Sequence, residues 1–199
     1  MKKIGIFGGT FNPIHFGHIH LALSLKEAAQ LDEVIFSPNY ESPFQGKSSV
    51  SAEKRLEMVE VALEGIPGCF VTDYEVVKKG TSYTIDLVKH VKNFIYSPQD
   101  EIFLLLADDL LEHFFRWKDV EELVSIATPL VGSRTLLKQA SIPFLDVKIQ
   151  NSLNKGRVEI PLMEISSSLV RERLKKELYA GHLVPQKVLD YIYLNKLYL

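Results

Sequence analysis

Short apolar runs alternate with longer stretches patterned for helices along the whole chain. The run 3–7 (KIGIF) ends at Gly8-Gly9 and reads as a buried strand feeding a loop. Residues 18–30 follow with Ile19, Leu21, Ala22, Leu23, Leu25 and Ala28 forming a broad apolar stripe, so a strand-loop-helix unit opens the protein. The alternation then repeats. Residues 33–37 (EVIFS) read as a strand and 51–64 as a helix, with Ser51 as N-cap and Glu53 in the first turn. Residues 69–72 are a third strand and 82–93 a further helix. The most apolar strand is 101–106 (EIFLLL), which suits the centre of a parallel sheet. Short helices at 110–115 and 119–124 precede a fifth strand at 129–132. A last strand at 158–160 and helices at 167–177 and 185–195 complete the pattern, the final helix with Pro185 near its first turn.

Strands separated by helices at this spacing require crossover connections. They predict an α/β fold with a doubly wound, mainly parallel sheet and helices on both faces. Ligands of such sheets bind at the carboxyl ends of the strands, where the loop after residues 3–7 belongs. With 199 residues, no internal repeat and no long linker, one domain spanning 1–199 is expected, with 165–199 as a small helical part. The longest early irregular stretch is 38–50, which is polar.

Composition narrows the function. Hydrophobic residues at 46%, charged residues at 24% and a mean hydropathy of +0.04 describe an ordinary globular chain. Lys and Arg number 23 against 25 Asp and Glu, so no global basic field gathers nucleic acid, and any polyanion needs a local cluster. The opening MKKIGIF is too short in its apolar part for a signal peptide, and no segment reaches membrane-spanning length, which makes the cytoplasm the expected location. Cys69 is the single cysteine; it is expected as a small core residue rather than a nucleophile.

The chemistry concentrates in GGTFNPIHFGHIHLA, residues 8–22. Glycines after a first strand admit an anion to backbone N–H groups, and a following helix presents its positive end. Neither GxGxxG nor GxxxxGK[ST] is present, which argues against a dinucleotide fingerprint and a P-loop. Instead His15 and His18 stand three apart where loop becomes helix, a spacing that sets both imidazoles on one side of a turn near exposed N–H groups. Imidazole donors there suit phosphate oxygens and the charge that develops in phosphoryl or nucleotidyl transfer. A zinc site and a purely structural histidine pair are the competing readings. No further ligand spacing supports zinc, so no protein-held metal is expected.

This segment closely resembles the GGTF(D/N)PxHxGH signature of bacterial nicotinate-nucleotide adenylyltransferases, in the HxGH nucleotidylyltransferase superfamily, and implies a Rossmann-like fold. A second match is Ile165-Ser166-Ser167-Ser168-Leu169-Val170-Arg171, similar to the superfamily's ISSTxxR stretch. Taken alone, the serines would be an N-cap cluster. Ser82-Tyr83-Thr84-Ile85-Asp86 resembles the SYTxDT element, Arg116-Trp117 falls at the family's loop tryptophan, and the tail VPQKVLDYIYLNKLYL resembles the VPxxVxxYIxxxxLY ending. The resemblance covers nearly the whole chain.

The resemblance implies adenylyl transfer from ATP, with Mg²⁺, to nicotinate mononucleotide, giving deamido-NAD and pyrophosphate. His15, His18, Lys47 and Arg171 would form the catalytic clamp. Gly8, Gly9, Thr10, Phe11, His15, His18, Asp108, Arg134, Ser166, Ser167, Ser168 and Arg171 would bind ATP, and Tyr83, Thr84 and Trp117 the mononucleotide. Small molecules rather than a nucleic-acid polymer or a membrane are the implied partners; the oligomeric state stays open, a homodimer included. Two departures stand out. The family's PPHK is Pro43-Phe44-Gln45-Gly46-Lys47 here, with lysine kept and histidine missing, and its GxD is Leu106-Ala107-Asp108. The alternatives are a transferase for nicotinamide mononucleotide or another phosphorylated acceptor, and a nucleotide-binding sensor without turnover.

Overall fold

The computed structural model describes residues 1–44, 46–133, 146–161 and 163–199. Six strands form one sheet: β1 (Lys3–Gly9), β2 (Glu33–Pro38), β3 (Cys69–Val71), β4 (Glu101–Ala107), β5 (Thr128–Ser133) and β6 (Arg157–Glu159). Their order is β3-β2-β1-β4-β5-β6, the doubly wound arrangement, with the direction of winding reversing between β1 and β4. β1 pairs parallel with β4 from Lys3↔Glu101 to Ile6↔Leu104, and β4 with β5 from Phe103↔Thr128 to Ala107↔Gly132. β5 pairs parallel with β6. The chain therefore leaves the sheet after β1 at the switch point.

The helices are α1 (Phe16–Ala29), α2 (Ala52–Leu63), α3 (Tyr74–Lys78), α4 (Thr84–His90), α5 (Val120–Ile126), α6 (Val147–Lys155), α7 (Ser167–Lys175) and α8 (Gln186–Leu194). Ser51 caps α2 as expected, its side chain accepting from the Lys54 N–H. The helix expected at 82–93 is α4 followed by a π-helical turn, Val91–Ile95, and 110–115 lies within a 3₁₀ run, Asp108–Arg116. α3 and α6 are not visible in the hydrophobic pattern. α3 is five residues long, and α6 carries its buried residues only at Ile149 and Leu153.

The chain divides into two compact units. The first is Met1–Gly8, Leu21–Ile35 and Tyr83–Leu162; its core is built on β4, whose Leu104, Leu105 and Leu106 are each 1% exposed. The second is Gly9–His20, Phe36–Ser82 and Met163–Leu199, where α2 packs on α8, β3 and α3. Cys69 departs from expectation. It is half-buried rather than in the core, because β3 is a three-residue edge strand with few neighbours to cover it.

Candidate active site

In the second unit, β1 ends at Gly9 and the chain turns sharply. Phe11 takes φ +46°, which swings its ring back over Gly9; a Cβ on Gly9 would lie 3.0–3.2 Å from that ring. Glycine is thus dictated by close approach. The buried Phe11 ring also meets Phe36 and stands edge-on to the His18 ring at 5.1 Å and 79°. The Asn12–Pro13 peptide is cis.

His15 follows at the mouth of α1. Its carbonyl accepts from the N–H groups of His18 at 3.0 Å and Ile19 at 3.4 Å, so His15 occupies the N-cap. Its own N–H donates to Nδ1 of His18 at 3.3 Å. A third-position side chain bonding back to the cap N–H is the capping-box arrangement, here with imidazole in place of Glu or Gln. The two rings stack at 3.6 Å and 22°. Because Nδ1 of His18 accepts, the neutral ring carries its proton on Nε2 and keeps that atom as a donor. His15 is 2% exposed. Gly17 makes room for it: a Cβ there would fall 3.1–3.2 Å from the His15 ring and 3.2 Å from the Ile165 carbonyl.

The serine-arginine element reaches the same loop. Ser166 caps α7 by accepting from the Leu169 N–H at 3.2 Å, so its hydroxyl serves the helix, as the cap-cluster reading of the serines has it. Ser167 donates from its hydroxyl to the Pro13 carbonyl at 2.9 Å. Arg171 donates from Nη1 to the Asn12 carbonyl at 2.7 Å and from Nη2 to the Ser168 hydroxyl at 3.0 Å. Two motifs about 150 residues apart in sequence are thereby joined on successive carbonyls, Asn12 and Pro13.

A residue missed at the level of sequence anchors this arrangement. Arg55 is 1% exposed on α2, and its guanidinium makes five hydrogen bonds. Nη1 donates to the Thr10 carbonyl at 2.6 Å and to Oδ1 of Asn39 at 3.3 Å; Nη2 donates to the carbonyls of Asn39 and Tyr40; Nε donates to that of Val50. The fork ties the loop after β1 to both ends of the 38–50 loop. Burial lowers its pKa, an effect offset in part by Tyr198, Glu53 and Glu75. The group remains charged all the same. A signal existed: α2 buries Ala52, Arg55, Met58, Val59 and Ala62 on one face, so the arginine sits on the apolar stripe. Lys47, within the loop that Arg55 closes, is exposed.

The first unit holds the remaining residues. A Cβ on Gly8 would make only an ordinary van der Waals contact, with Leu87 Cδ2 at 3.9 Å. Asp108 is half-buried at the start of the 3₁₀ run after β4, and Asp109 is exposed. Tyr83 occupies the N-cap of α4 and Thr84 its first position, both half-buried. Nζ of Lys118 lies 4.6 Å from the Tyr83 ring centroid and 3.8 Å from Oδ1 of Asp86. Trp117, half-buried, packs against Phe114 at 5.0 Å between ring centroids. Arg134 lies outside the described residues.

Residues 6–173 match the cytidylyltransferase-like family model. A curated nicotinate-nucleotide adenylyltransferase of Dictyoglomus thermophilum is 36% identical, covering 99% of this chain and 100% of its own length. That of Clostridium acetobutylicum is 35% identical over the full length of both. The chain belongs to the nicotinate-nucleotide adenylyltransferase family. The fold agrees: the nicotinic acid mononucleotide adenylyltransferase of Plasmodium falciparum, solved in complex with NaAD, superposes with a TM-score of 0.79 at 24% identity, covering 100% of this chain and 98% of that one.

Within a nicotinate-nucleotide adenylyltransferase, the leucine in place of the GxD glycine is absorbed by the sheet. Leu106 pairs with Val131 in β4 and is 1% exposed, so its side chain fills the core of the first unit. Gly17→Ala is expected to push the His15 ring by a few tenths of an ångström and to lower adenylyltransferase turnover about tenfold, since misplacement of a reacting group is costly. Steady-state assay beside a thermal melt checks this; unchanged turnover would show that the ring has room to yield.

Proposed function

We propose that the protein joins ATP and nicotinate mononucleotide to give deamido-NAD and pyrophosphate, the whole chain acting as one transferase domain in the cytoplasm. The observation that carries this reading is the meeting of the two motifs. Ser167 and Arg171 hold the Pro13 and Asn12 carbonyls, on the same loop that leads into the stacked His15–His18 pair.

A phosphate oxygen of the mononucleotide attacks the α-phosphorus of ATP in line. The bond from that phosphorus to the α–β bridging oxygen breaks, and the electron pair leaves with pyrophosphate. The nucleophile is already an anion, so no protein base or covalent intermediate is required. Catalysis then rests on alignment and on donors aimed where charge develops. His18 offers Nε2–H from a ring pinned at Nδ1, His15 stacks beside it, and Arg171 is held by two contacts close to the loop. Lys47, exposed in the 38–50 loop, is a further cation of the clamp in this reading. By the family resemblance, Gly8, Gly9, Thr10, Phe11, Asp108, Arg134, Ser166, Ser167 and Ser168 are the residues assigned to ATP. Trp117 offers an indole face to the nicotinate ring, with Tyr83 and Thr84 at the α4 N-terminus beside the carboxylate.

Mg²⁺ enters with ATP. Among the described residues no group of three or more His, Cys, Asp or Glu is placed to hold a metal; in this reading the ion is held mainly by phosphate oxygens and water. Bound there, it supplies charge neutralisation to the triphosphate. No helix among the described residues is long and apolar enough to cross a membrane.

One assay tests the reaction. Purified protein with ATP, Mg²⁺ and each of nicotinate mononucleotide, nicotinamide mononucleotide and phosphopantetheine is expected to release pyrophosphate preferentially with the first. Preference for another acceptor would reassign the substrate, and ATP binding without turnover on any acceptor would identify a sensor.

A further inference from the structure

The segment after α8 reaches the loop between β1 and α1 directly. The Tyr198 hydroxyl donates to Oδ1 of Asn12 at 2.6 Å, across 186 residues of sequence. Tyr198 holds φ +63°, in the left-handed region that a bulky aromatic residue adopts only when its surroundings dictate it. Its side chain is half-buried, and Leu197 before it is 8% exposed, so the segment is docked rather than trailing. Burial pushes the phenol above its usual range, against the pull of the Arg55 and Arg171 charges; the hydroxyl therefore stays protonated and acts as a donor.

Asn12 is consequently gripped twice. Arg171 holds its backbone carbonyl at 2.7 Å and Tyr198 its side-chain oxygen at 2.6 Å. With Oδ1 committed to the phenol, the way the Asn12 amide faces is fixed, as is the peptide between Phe11 and Pro13. Arg55 fixes Thr10 and Ser167 fixes Pro13 in the same loop. Tyr198 is the contact in this set that comes from beyond α8.

We propose that Tyr198 is a positioning residue for adenylyl transfer, holding Asn12 and through it the loop that leads into the His15–His18 pair. The proposal rests on the transferase reading above. Preorganisation of this kind acts on turnover and on ATP affinity more than on global stability, because a single part-buried hydrogen bond adds only about 1 kcal/mol to folding.

The test compares Tyr198→Phe with Tyr191→Phe. Tyr191 on α8 also donates from its hydroxyl, at 2.7 Å, but to Glu57 of α2. Both variants lose one phenol hydrogen bond, and similar melting temperatures are expected. Tyr198→Phe is expected to lower kcat/KM about tenfold, the scale of one lost hydrogen bond, while Tyr191→Phe stays at the parent level. Adding Tyr198→Phe to Asn12→Ala is expected to cause no further loss, since the hydroxyl acts through Asn12. A Tyr198→Phe enzyme within twofold of the parent, or losses that multiply in the double variant, would overturn the proposal. The parent and the four variants are also titrated with ATP by calorimetry. Weakened ATP binding in Tyr198→Phe and Asn12→Ala, equal in the double variant, supports the positioning role even if the parent turns over no acceptor, an outcome that would overturn only the transferase reading.

Discussion

His18→Ala is expected to lower turnover about a hundredfold or more, the scale on which a preorganised donor to a developing oxyanion contributes. It is also expected to cost about 1 kcal/mol of stability, because Nδ1 of His18 accepts from the His15 N–H at the start of α1. The two effects are separable. Glutamine at position 18 can place its side-chain oxygen on the same N–H, as in a capping box, and should restore the melting temperature without restoring kcat. If His18→Gln recovered turnover as well, the cap and not the Nε2 donor would be the role of this ring. Near-parental turnover in His18→Ala would remove the residue from the transition state altogether.

Arg55→Met is expected to be the most destabilising single change in the second unit. The side chain is buried, and its removal leaves the carbonyls of Thr10, Asn39, Tyr40 and Val50 and Oδ1 of Asn39 without these donors. At roughly 1–3 kcal/mol for each group that water fails to reach, a loss on the order of 3 kcal/mol or more is expected in the unfolding free energy from denaturant titration. Arg55→Lys keeps the charge but not the planar fork, so it should recover only part of that loss. A lysine variant as stable as the parent would show that the charge alone, rather than its geometry, holds the loops. The same substitution should release the 38–50 loop and raise its proteolytic sensitivity, a second measurement that does not depend on turnover.

The local pattern carried much of the fold because strands and helices here obey their own periods. Each expected strand was found within two residues of its reading, and Ser51 and Pro185 mark helix starts by local chemistry. The pattern failed where length or neighbours decide. α3 is too short to show a period. Cys69 looks apolar enough for a core, but its strand lies at the sheet edge. Arg55 reads as a solvated helix residue unless the stripe from Ala52 to Ala62 is counted, and even then its partners are unknown.

By itself, then, the sequence determined the α/β alternation, the strand-to-helix loop after β1 and the two motifs of the family. These follow from hydrophobic period and from short-range chemistry, both of which act over a few residues. The tertiary structure alone decided what the motifs do to each other. Arg171 on Asn12, Ser167 on Pro13 and Tyr198 on Asn12 join positions 159, 154 and 186 apart. It also decided that Ser166 serves the helix end while Ser167 reaches the loop, and that Leu106 belongs to the core. Contacts over such separations have no period to betray them; they exist only once the chain has folded back and each donor has one acceptor within reach.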